Sequence, residues 1–147
     1  MSNSTAMGSP ANWRGYLLAN GAGGTFPHYY IKMETYDIQP DIREEVRAYR
    51  DDYTRDLYRL TAPGMKSKIT FEILDNLSME QSYEIQNFFY AAEVDHLQRK
   101  VQIIYWNPEY FRYDVGYFYR PDTNFKVRDI DGGIMTLKGH PITLIEY

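Results

Sequence analysis

The chain contains no cysteine, which excludes a disulfide framework and a thiolate metal site. No apolar run approaches the roughly 20 residues of a membrane-spanning helix, and the N-terminus lacks the apolar core of a signal peptide. The chain also lacks an excess of positive charge, since 16 basic residues stand against 20 acidic ones and the formal net charge is −4. The electrostatics therefore do not favour binding to nucleic acid. These absences predict a protein that folds in a cytoplasm and carries no export signal of its own.

Tyrosine, in contrast, is abundant and accounts for 15 of the 147 residues. This residue favours β-strands and amphipathic contact surfaces. A chain of this length with a hydrophobic content of 44% is large enough to form one domain with a real core. We expect residues 1–12, which are small and polar, to be disordered, and residues 13–147 to form that single domain.

Alternating apolar and polar residues predict strands through most of the domain. The predicted strands cover residues 13–18, 29–36, 68–73, 101–106, 112–120, 125–130, 134–137 and 142–147. Ser78 and Gln81 have the spacing of a capping box, and the helix that follows has an apolar stripe of Ile85, Phe88, Phe89 and Ala92. This order predicts an α+β, mainly β fold: an antiparallel β-sandwich or split barrel with one packed α-helix and a long projecting hairpin arm.

The arm is the highly charged segment 41–62, in which every basic residue is arginine. Two interpretations compete. As a helix, the segment would place Ile42, Val46 and Tyr49 on one weakly apolar face. As a hairpin, residues 46–50 would pair with residues 55–59 across the polar centre 51–54. Similar alternation in both limbs favours the hairpin.

Arginine presents a planar fork of donors that suits carboxylates at interfaces, whereas lysine is a more strongly hydrated point charge. The arm therefore predicts an intersubunit interface, with a solvated surface hairpin as the alternative. The interface residues we expect are Arg43, Arg47, Tyr49, Arg50, Asp51, Asp52, Arg55, Asp56, Tyr58 and Arg59. A second tyrosine-rich surface lies on strand 112–120, where residues 113, 115, 117 and 119 share a face that we expect to be core, with a subunit interface as the alternative.

Catalytic, cofactor and metal sites are not predicted. His28, His96 and His140 lack ligand-type spacing, and the serines show no nucleophile elbow. The acidic pairs at 44–45 and 51–52 lie among arginines in a polar segment, without the desolvated pocket that catalytic pairs need. Residues 129–133 favour a hairpin turn over a calcium loop. We therefore expect a protein that is not an enzyme.

An ordered set of short motifs nevertheless resembles a family of small uncharacterised phage and prophage proteins encoded among tail genes. The resemblance extends over residues 29–147. Its motifs are Tyr30-Ile31-Lys32-Met33-Glu34-Thr35-Tyr36, Tyr49-Arg50-Asp51, Leu57-Tyr58-Arg59, Lys66-Ser67-Lys68-Ile69-Thr70-Phe71, Arg99-Lys100-Val101, Gly116-Tyr117-Phe118-Tyr119-Arg120-Pro121-Asp122 and Ile145-Glu146-Tyr147.

The order of elements is also similar to that of tail-tube proteins and of the N-terminal domain of distal tail proteins. This likeness implies a hexameric ring in the virion tail, assembled in the host cytoplasm, with residues 41–60 reaching an adjacent subunit or ring. Other tail proteins, such as the tape measure or baseplate components, would be partners, and genome DNA would pass through the lumen without specific recognition; no membrane is involved. The alternative is a monomeric adaptor that contacts another virion or host protein through its tyrosine-rich sheet. A small hydrolase is disfavoured because no site assembles.

Overall fold

A computed structural model of the protein describes residues 7–42, 45–61 and 66–147, and for residues 45–49 and 58–61 it describes the backbone alone. The described part of the chain contains twelve strands and one α-helix. These elements are β1 (Leu18–Asn20), β2 (Asp37–Ile42), β3 (Glu45–Arg50), β4 (Leu57–Thr61), β5 (Lys66–Glu72), β6 (Leu77–Ser78), α1 (Met79–Ala92), β7 (Glu93–Asp95), β8 (Lys100–Asn107), β9 (Arg112–Tyr119), β10 (Val127–Asp131), β11 (Ile134–Leu137) and β12 (Pro141–Glu146).

The strands form three antiparallel sheets. The main sheet has the order β1-β8-β9-β12-β5-β2, and β7 pairs with β8 beside it. A second sheet has the order β10-β11-β6, and β3 and β4 form a sheet of their own. Register in the main sheet pairs Ile103 with Gly116 and Leu144 with Ile69. The prediction of a mainly β fold with antiparallel sheets and one packed helix is confirmed.

The core lies between one face of the main sheet and α1. Alternate residues of β8 and β5 are buried, as a pleated strand with one covered face requires. Phe26 fills the centre, with its ring 5.4 Å from that of Phe71, 5.2 Å from that of Phe88 and 5.7 Å from that of Phe89. These edge-on and tilted ring pairs are the arrangements that aromatic quadrupoles favour.

Helix α1 begins as the sequence predicts. The Ser78 hydroxyl accepts a hydrogen bond from the backbone N–H of Gln81 (3.3 Å), and the Gln81 side chain accepts one from the backbone N–H of Ser78 (2.9 Å). This capping box satisfies two of the donors that a helix N-terminus leaves unpaired. The predicted apolar stripe is buried, so the position and the inner face of the helix are both confirmed.

The predicted strand 29–36 is wrong. Two 3-10 turns, His28–Tyr30 and Met33–Thr35, occupy this segment. The Thr35 hydroxyl donates to the carbonyl of Lys32 (2.6 Å) and accepts from the backbone N–H of Glu72 (2.9 Å). The first of these bonds is local and the second joins the segment to β5, and together they replace a strand ladder. The strand instead starts at Asp37 and continues through Pro40, which an edge strand with a bulge tolerates because one side of the backbone needs no partner.

The N-terminal segment, which we expected to be disordered over residues 1–12, is described from Met7 onward. The Gly8 N–H donates to the carbonyl of Tyr110 (2.7 Å), and the Asn12 amide donates to the carbonyl of Phe111 (3.1 Å). A Cβ atom at Gly8 would collide with the Phe111 carbonyl. Residues 7–12 therefore lie against the turn between β8 and β9.

The tyrosine-rich face of β9 is not core, so that prediction is wrong. Tyr117 and Tyr119 are each 40% exposed, whereas Asp114, Gly116 and Phe118 lie on the buried face. Aromatic rings of the N-terminal segment pack at the start of the tyrosine face: Tyr16 lies 4.7 Å and Trp13 6.3 Å from Tyr113, measured between ring centroids. The rest of that face remains open as a contact surface.

Among the residues that the structure describes, no helix has both the length and the apolar character that a membrane span requires.

Candidate subunit interface

The charged arm is a β-hairpin. Strands β3 and β4 pair Arg50 with Leu57, Tyr49 with Tyr58 and Ala48 with Arg59. The hairpin interpretation is thus confirmed over the helix. The connection spans residues 51–56 instead of 51–54, and the pairing is offset by two residues from the register we expected. Because β3 and β4 pair only with each other in the described part of the chain, the arm is a separate two-stranded unit.

Asp51 organises the tip of the arm. Its Oδ1 accepts hydrogen bonds from the backbone N–H groups of Tyr53 (2.8 Å) and Thr54 (2.9 Å). Its own N–H donates to the carbonyl of Asp56 (2.9 Å), and its carbonyl accepts from the N–H of Arg55 (2.9 Å). The bonds from Thr54 and Tyr53 lower the pKa of the Asp51 carboxyl below its ordinary value. The tip is therefore an ordered turn and not a loose loop.

The ordered tip presents exposed side chains. Tyr53 is 97% exposed and Leu57 is 51% exposed. Among the described side chains, no carboxylate lies within the 4.0 Å of a salt bridge from Arg50 or Arg55, and Arg50 donates to the carbonyl of Arg55 (3.1 Å). An exposed tyrosine together with arginines that have no carboxylate partner among the described side chains is a composition that protein interfaces favour.

The predicted interface residues divide into three groups. Arg43 lies outside the described residues. Arg47, Tyr49, Tyr58 and Arg59 lie on the paired strands of the arm, where the backbone alone is described. The other residues lie at the tip or immediately before it: Arg50, Asp51, Asp52, Arg55 and Asp56.

The arm leaves the body at Asp41, which the sequence suggested was part of the exposed charged segment but which is only 2% exposed. A bulge between Gln39 and Ile42 gives Asp41 a φ of 53°, a left-handed conformation that Asp tolerates better than most residues. Its N–H donates to the Ser67 hydroxyl (3.1 Å), and its Oδ2 accepts from the Asn107 amide (3.0 Å). Asp41 thus fixes where β2 turns toward the arm.

Asp41 belongs to a buried polar network, here called the root cluster, which consists of Asp41, Ser67, Tyr105, Asn107, Asp114 and Glu146. The Asn107 amide also donates to Asp114 (2.9 Å), whose other oxygen accepts from Arg112 (3.0 Å). The Ser67 hydroxyl shares a hydrogen bond of 2.9 Å with Tyr105. The network joins β2, β5, β8, β9 and β12 at the base of the arm.

Glu146 is the strained member of the root cluster. Its Oε1 accepts from the backbone N–H of Ser67 (2.8 Å), but its buried Oε2 has no hydrogen-bond partner. Burial raises the pKa of this carboxyl, and the hydrogen bond from Ser67 opposes the shift. Gly116 faces Glu146 across the sheet, where a Cβ atom would crowd the carboxylate. Although acidic residues gather here, no three His, Asp or Glu side chains of the described ranges are placed to hold a metal ion.

A separate surface lies beside α1: an open groove of about 500 Å³, here called the aromatic groove. Its walls include Tyr16, Phe26, Tyr29 and Tyr83, with His28, Glu84 and Asn87 as polar groups. Tyr29 and Tyr83 are 63% and 68% exposed. The Tyr30 hydroxyl donates to Glu84 (3.4 Å). Such a surface suits contact with a protein segment more than it suits enclosure of a small molecule, because the groove is open and shallow.

Of three comparisons with known proteins, one finds a match. Neither the curated proteins nor the solved structures contain a match to this chain. Residues 11–147 match the model of a family of unknown function, DUF6711, and the chain belongs to that family.

Proposed function

We propose that the protein is a structural subunit of a phage tail that forms a ring, in the tail tube or at the distal end near the baseplate. The observation that carries this proposal is the arm: a hairpin with an ordered tip, an exposed Tyr53, and two arginines, Arg50 and Arg55, that have no carboxylate partner among the described side chains. An ordered tip whose exposed tyrosine and arginines have no carboxylate partner among the described side chains is suited to contact with a neighbouring copy.

Magnitudes indicate which part of the tip would dominate the contact. Exposed ion pairs contribute about 0–1 kcal/mol each, so Arg50 and Arg55 would mainly set orientation and partner choice. Burying an aromatic side chain removes roughly 150 Å² or more from water, worth about 3–4 kcal/mol at ~25 cal/mol per Å². Tyr53 is therefore the expected anchor of the arm, with the arginines as its flanking contacts.

An open sheet edge supports assembly into a ring. In the described part of the chain, β2 at one end of the main sheet and β10 in the second sheet each have a strand partner on one side only. Strand β10 is exposed along its whole length, and Ile130 and Ile134 are 65% and 68% exposed. Pro40 and the bulge protect the edge of β2 from pairing, whereas β10 exposes Val127 and Ile130, so a neighbour in a ring would cover β10. The ring would contact other tail proteins, and its lumen would accommodate genome DNA.

The first test is the mass of the purified protein by light scattering on a sizing column, with imaging of any large species. We expect a ring or short tube, many times the 17.4 kDa of one chain. A variant carrying Arg50→Glu, Tyr53→Ala and Arg55→Glu should be monomeric with an unchanged circular dichroism spectrum. The matched control, Lys32→Glu with Lys68→Glu, makes the same charge reversal outside the arm and should still assemble. Assembly that survives the arm variant would refute the role of the arm.

The aromatic groove favours a second candidate, a monomeric adaptor that binds another virion or host protein. If the protein is monomeric alone, Tyr29→Ala and Tyr83→Ala should abolish the capture of a partner from a lysate of phage-infected cells, while the arm variant should not. If only the arm variant loses capture, the arm binds the partner and the aromatic groove does not. We ascribe no catalytic step and no cofactor to either role.

A further inference from the structure

Arg120, directly after β9, is a buried charge with little compensation. It is only 7% exposed, and its guanidinium carbon lies 4.4 Å from the centre of the Phe89 ring. Its Nη2 donates to Gln86 (2.6 Å). The acids near it have other partners, since Asp122 pairs with Arg99 (3.3 Å) and Glu93 with His96 (2.7 Å). Among the described side chains, no carboxylate lies within salt-bridge distance of Arg120.

A buried guanidinium has five donors, and an ion without its counter-charge is costly to hold away from water. The pKa of Arg120 falls to about 10, chiefly through burial and also through the nearby Arg99 charge. His140, 7% exposed, has an Nε2 atom without a hydrogen-bond partner. Burial and the Arg120 charge lower the pKa of His140, so this imidazole is neutral at pH 7. The cationic charge of the site therefore belongs to Arg120.

A cavity of about 110 Å³ opens beside Arg120. Arg120 lines it together with the apolar residues Pro121, Pro141 and Ile142. Two threonines also line it, Thr123, whose hydroxyl donates to the Pro141 carbonyl (3.3 Å), and Thr143. Asp122 also lines the cavity, but its side chain is 93% exposed and turned to Arg99. The cavity thus combines a donor fork, an apolar wall and room for only a few heavy atoms.

We propose that this cavity is a binding site for a carboxylate on a short apolar stem, held by the guanidinium of Arg120. A planar carboxylate matches the donor fork of arginine, and the single negative charge matches the single buried cation. A phosphate dianion fits worse, because it would bring a second negative charge beside Asp122 with no second buried cation to balance it. The carboxylate is supplied either by an acidic side chain of a protein partner or by a small free acid. This proposal does not depend on a role in a phage tail.

The test is a titration of the isotope-labelled protein, followed by the backbone amide resonances of Arg120, Asp122, Thr123, Ile142 and Thr143, since Pro121 and Pro141 have no N–H. The probes are sodium acetate and a glutamate residue blocked at both ends, with sodium chloride at equal ionic strength as the reference. We expect saturable shifts at these amides with the organic probes and none with chloride. Saturation by acetate alone indicates a site for a small free acid, and saturation by both probes indicates one open to an acidic side chain. Saturation by neither, or equal shifts with chloride, overturns the proposal.

Variants make the test specific. Arg120→Lys keeps the charge but loses the fork, and should weaken acetate binding at least about tenfold. Asp122→Asn removes the competing negative charge, leaves Arg120 intact and should tighten binding. Arg128→Gln, an exposed arginine elsewhere, should change nothing. If Arg120→Lys fails to fold, Asp122→Asn still decides, because unchanged or weaker binding in that variant contradicts a site centred on the Arg120 charge.

Discussion

Replacement of Asn107 by alanine should destabilise the protein more than any other amide-to-alanine change among the described residues. Asn107 is fully buried, and its amide group donates to two buried carboxylates, Asp41 (3.0 Å) and Asp114 (2.9 Å). Hydrogen bonds to charged groups contribute about 1.5–3 kcal/mol each. Truncation also leaves two negative charges close together without the donor that separates them. We therefore expect a loss of about 3–5 kcal/mol in the free energy of unfolding.

Urea unfolding, followed by tryptophan fluorescence, measures this loss directly. The slope of the free energy against urea should stay constant, so that the midpoint alone shifts. A loss of this size lowers the melting temperature by about 6–20 °C for a domain of this length. The control is Asn124→Ala, an exposed asparagine, which should change the free energy by less than about 0.5 kcal/mol. A loss below about 1 kcal/mol for Asn107→Ala would refute the view that this amide holds the root cluster together.

Three further predictions concern single groups. Burial raises the pKa of Glu146, so this group favours the folded state most below the ordinary glutamate pKa, and its contribution falls as the pH rises through the raised pKa. Glu146→Gln should therefore increase the free energy of unfolding at pH 7. It should also make that free energy depend less on pH, which urea titrations at several pH values measure. A pH dependence that persists in the variant would assign the effect to another group. Ser78→Ala should lower the free energy of unfolding by about 1 kcal/mol through loss of the N-cap, with the exposed Ser9→Ala as the control; no change would contradict the capping role. Asp51→Ala should accelerate hydrogen exchange at the amides of Tyr53 and Thr54, which it accepts from, and leave exchange at Ile103 unchanged; equal protection in both proteins would mean that Asp51 does not order the tip.

Strand alternation and capping chemistry predicted most of the fold, since both are local signals. The helix begins at the predicted cap, and the charged segment folds as the hairpin whose limbs alternate alike. Segment 29–36 shows the limit of this reasoning. Its apolar residues alternate as in a strand, but the Thr35 hydroxyl donates to the carbonyl of Lys32 in the same segment and accepts from the backbone N–H of Glu72 on β5, and these bonds stabilise a 3-10 turn instead. Period alone does not reveal such tertiary partners.

The root cluster could have been predicted in part. On β8, Val101, Ile103 and Tyr105 are buried, and Asn107 continues the same parity. Glu146 likewise follows Ile142 and Leu144 on β12. A strand places every second residue on the same face whatever its chemistry, so this parity indicates burial for both polar residues. The burial of Asp41 had no such signal, because it depends on a bulge that shifts the register of an edge strand.

The parity of β9 also shows how far the root cluster lies from the cavity beside Arg120. On β9, the buried face runs from Asp114 through Gly116 and Phe118 and continues to Arg120. Six residues at about 3.3 Å each place Asp114 and Arg120 roughly 20 Å apart, about twice the 7–10 Å beyond which mutations without shared partners usually act independently. Sites that far apart should respond independently to mutation. Variants of the arm should therefore leave acetate binding unchanged, and Asp122→Asn should leave assembly unchanged. If Asp122→Asn instead altered the size of the ring, the carboxylate that Arg120 receives would come from a neighbouring subunit, and the cavity would belong to the assembly interface.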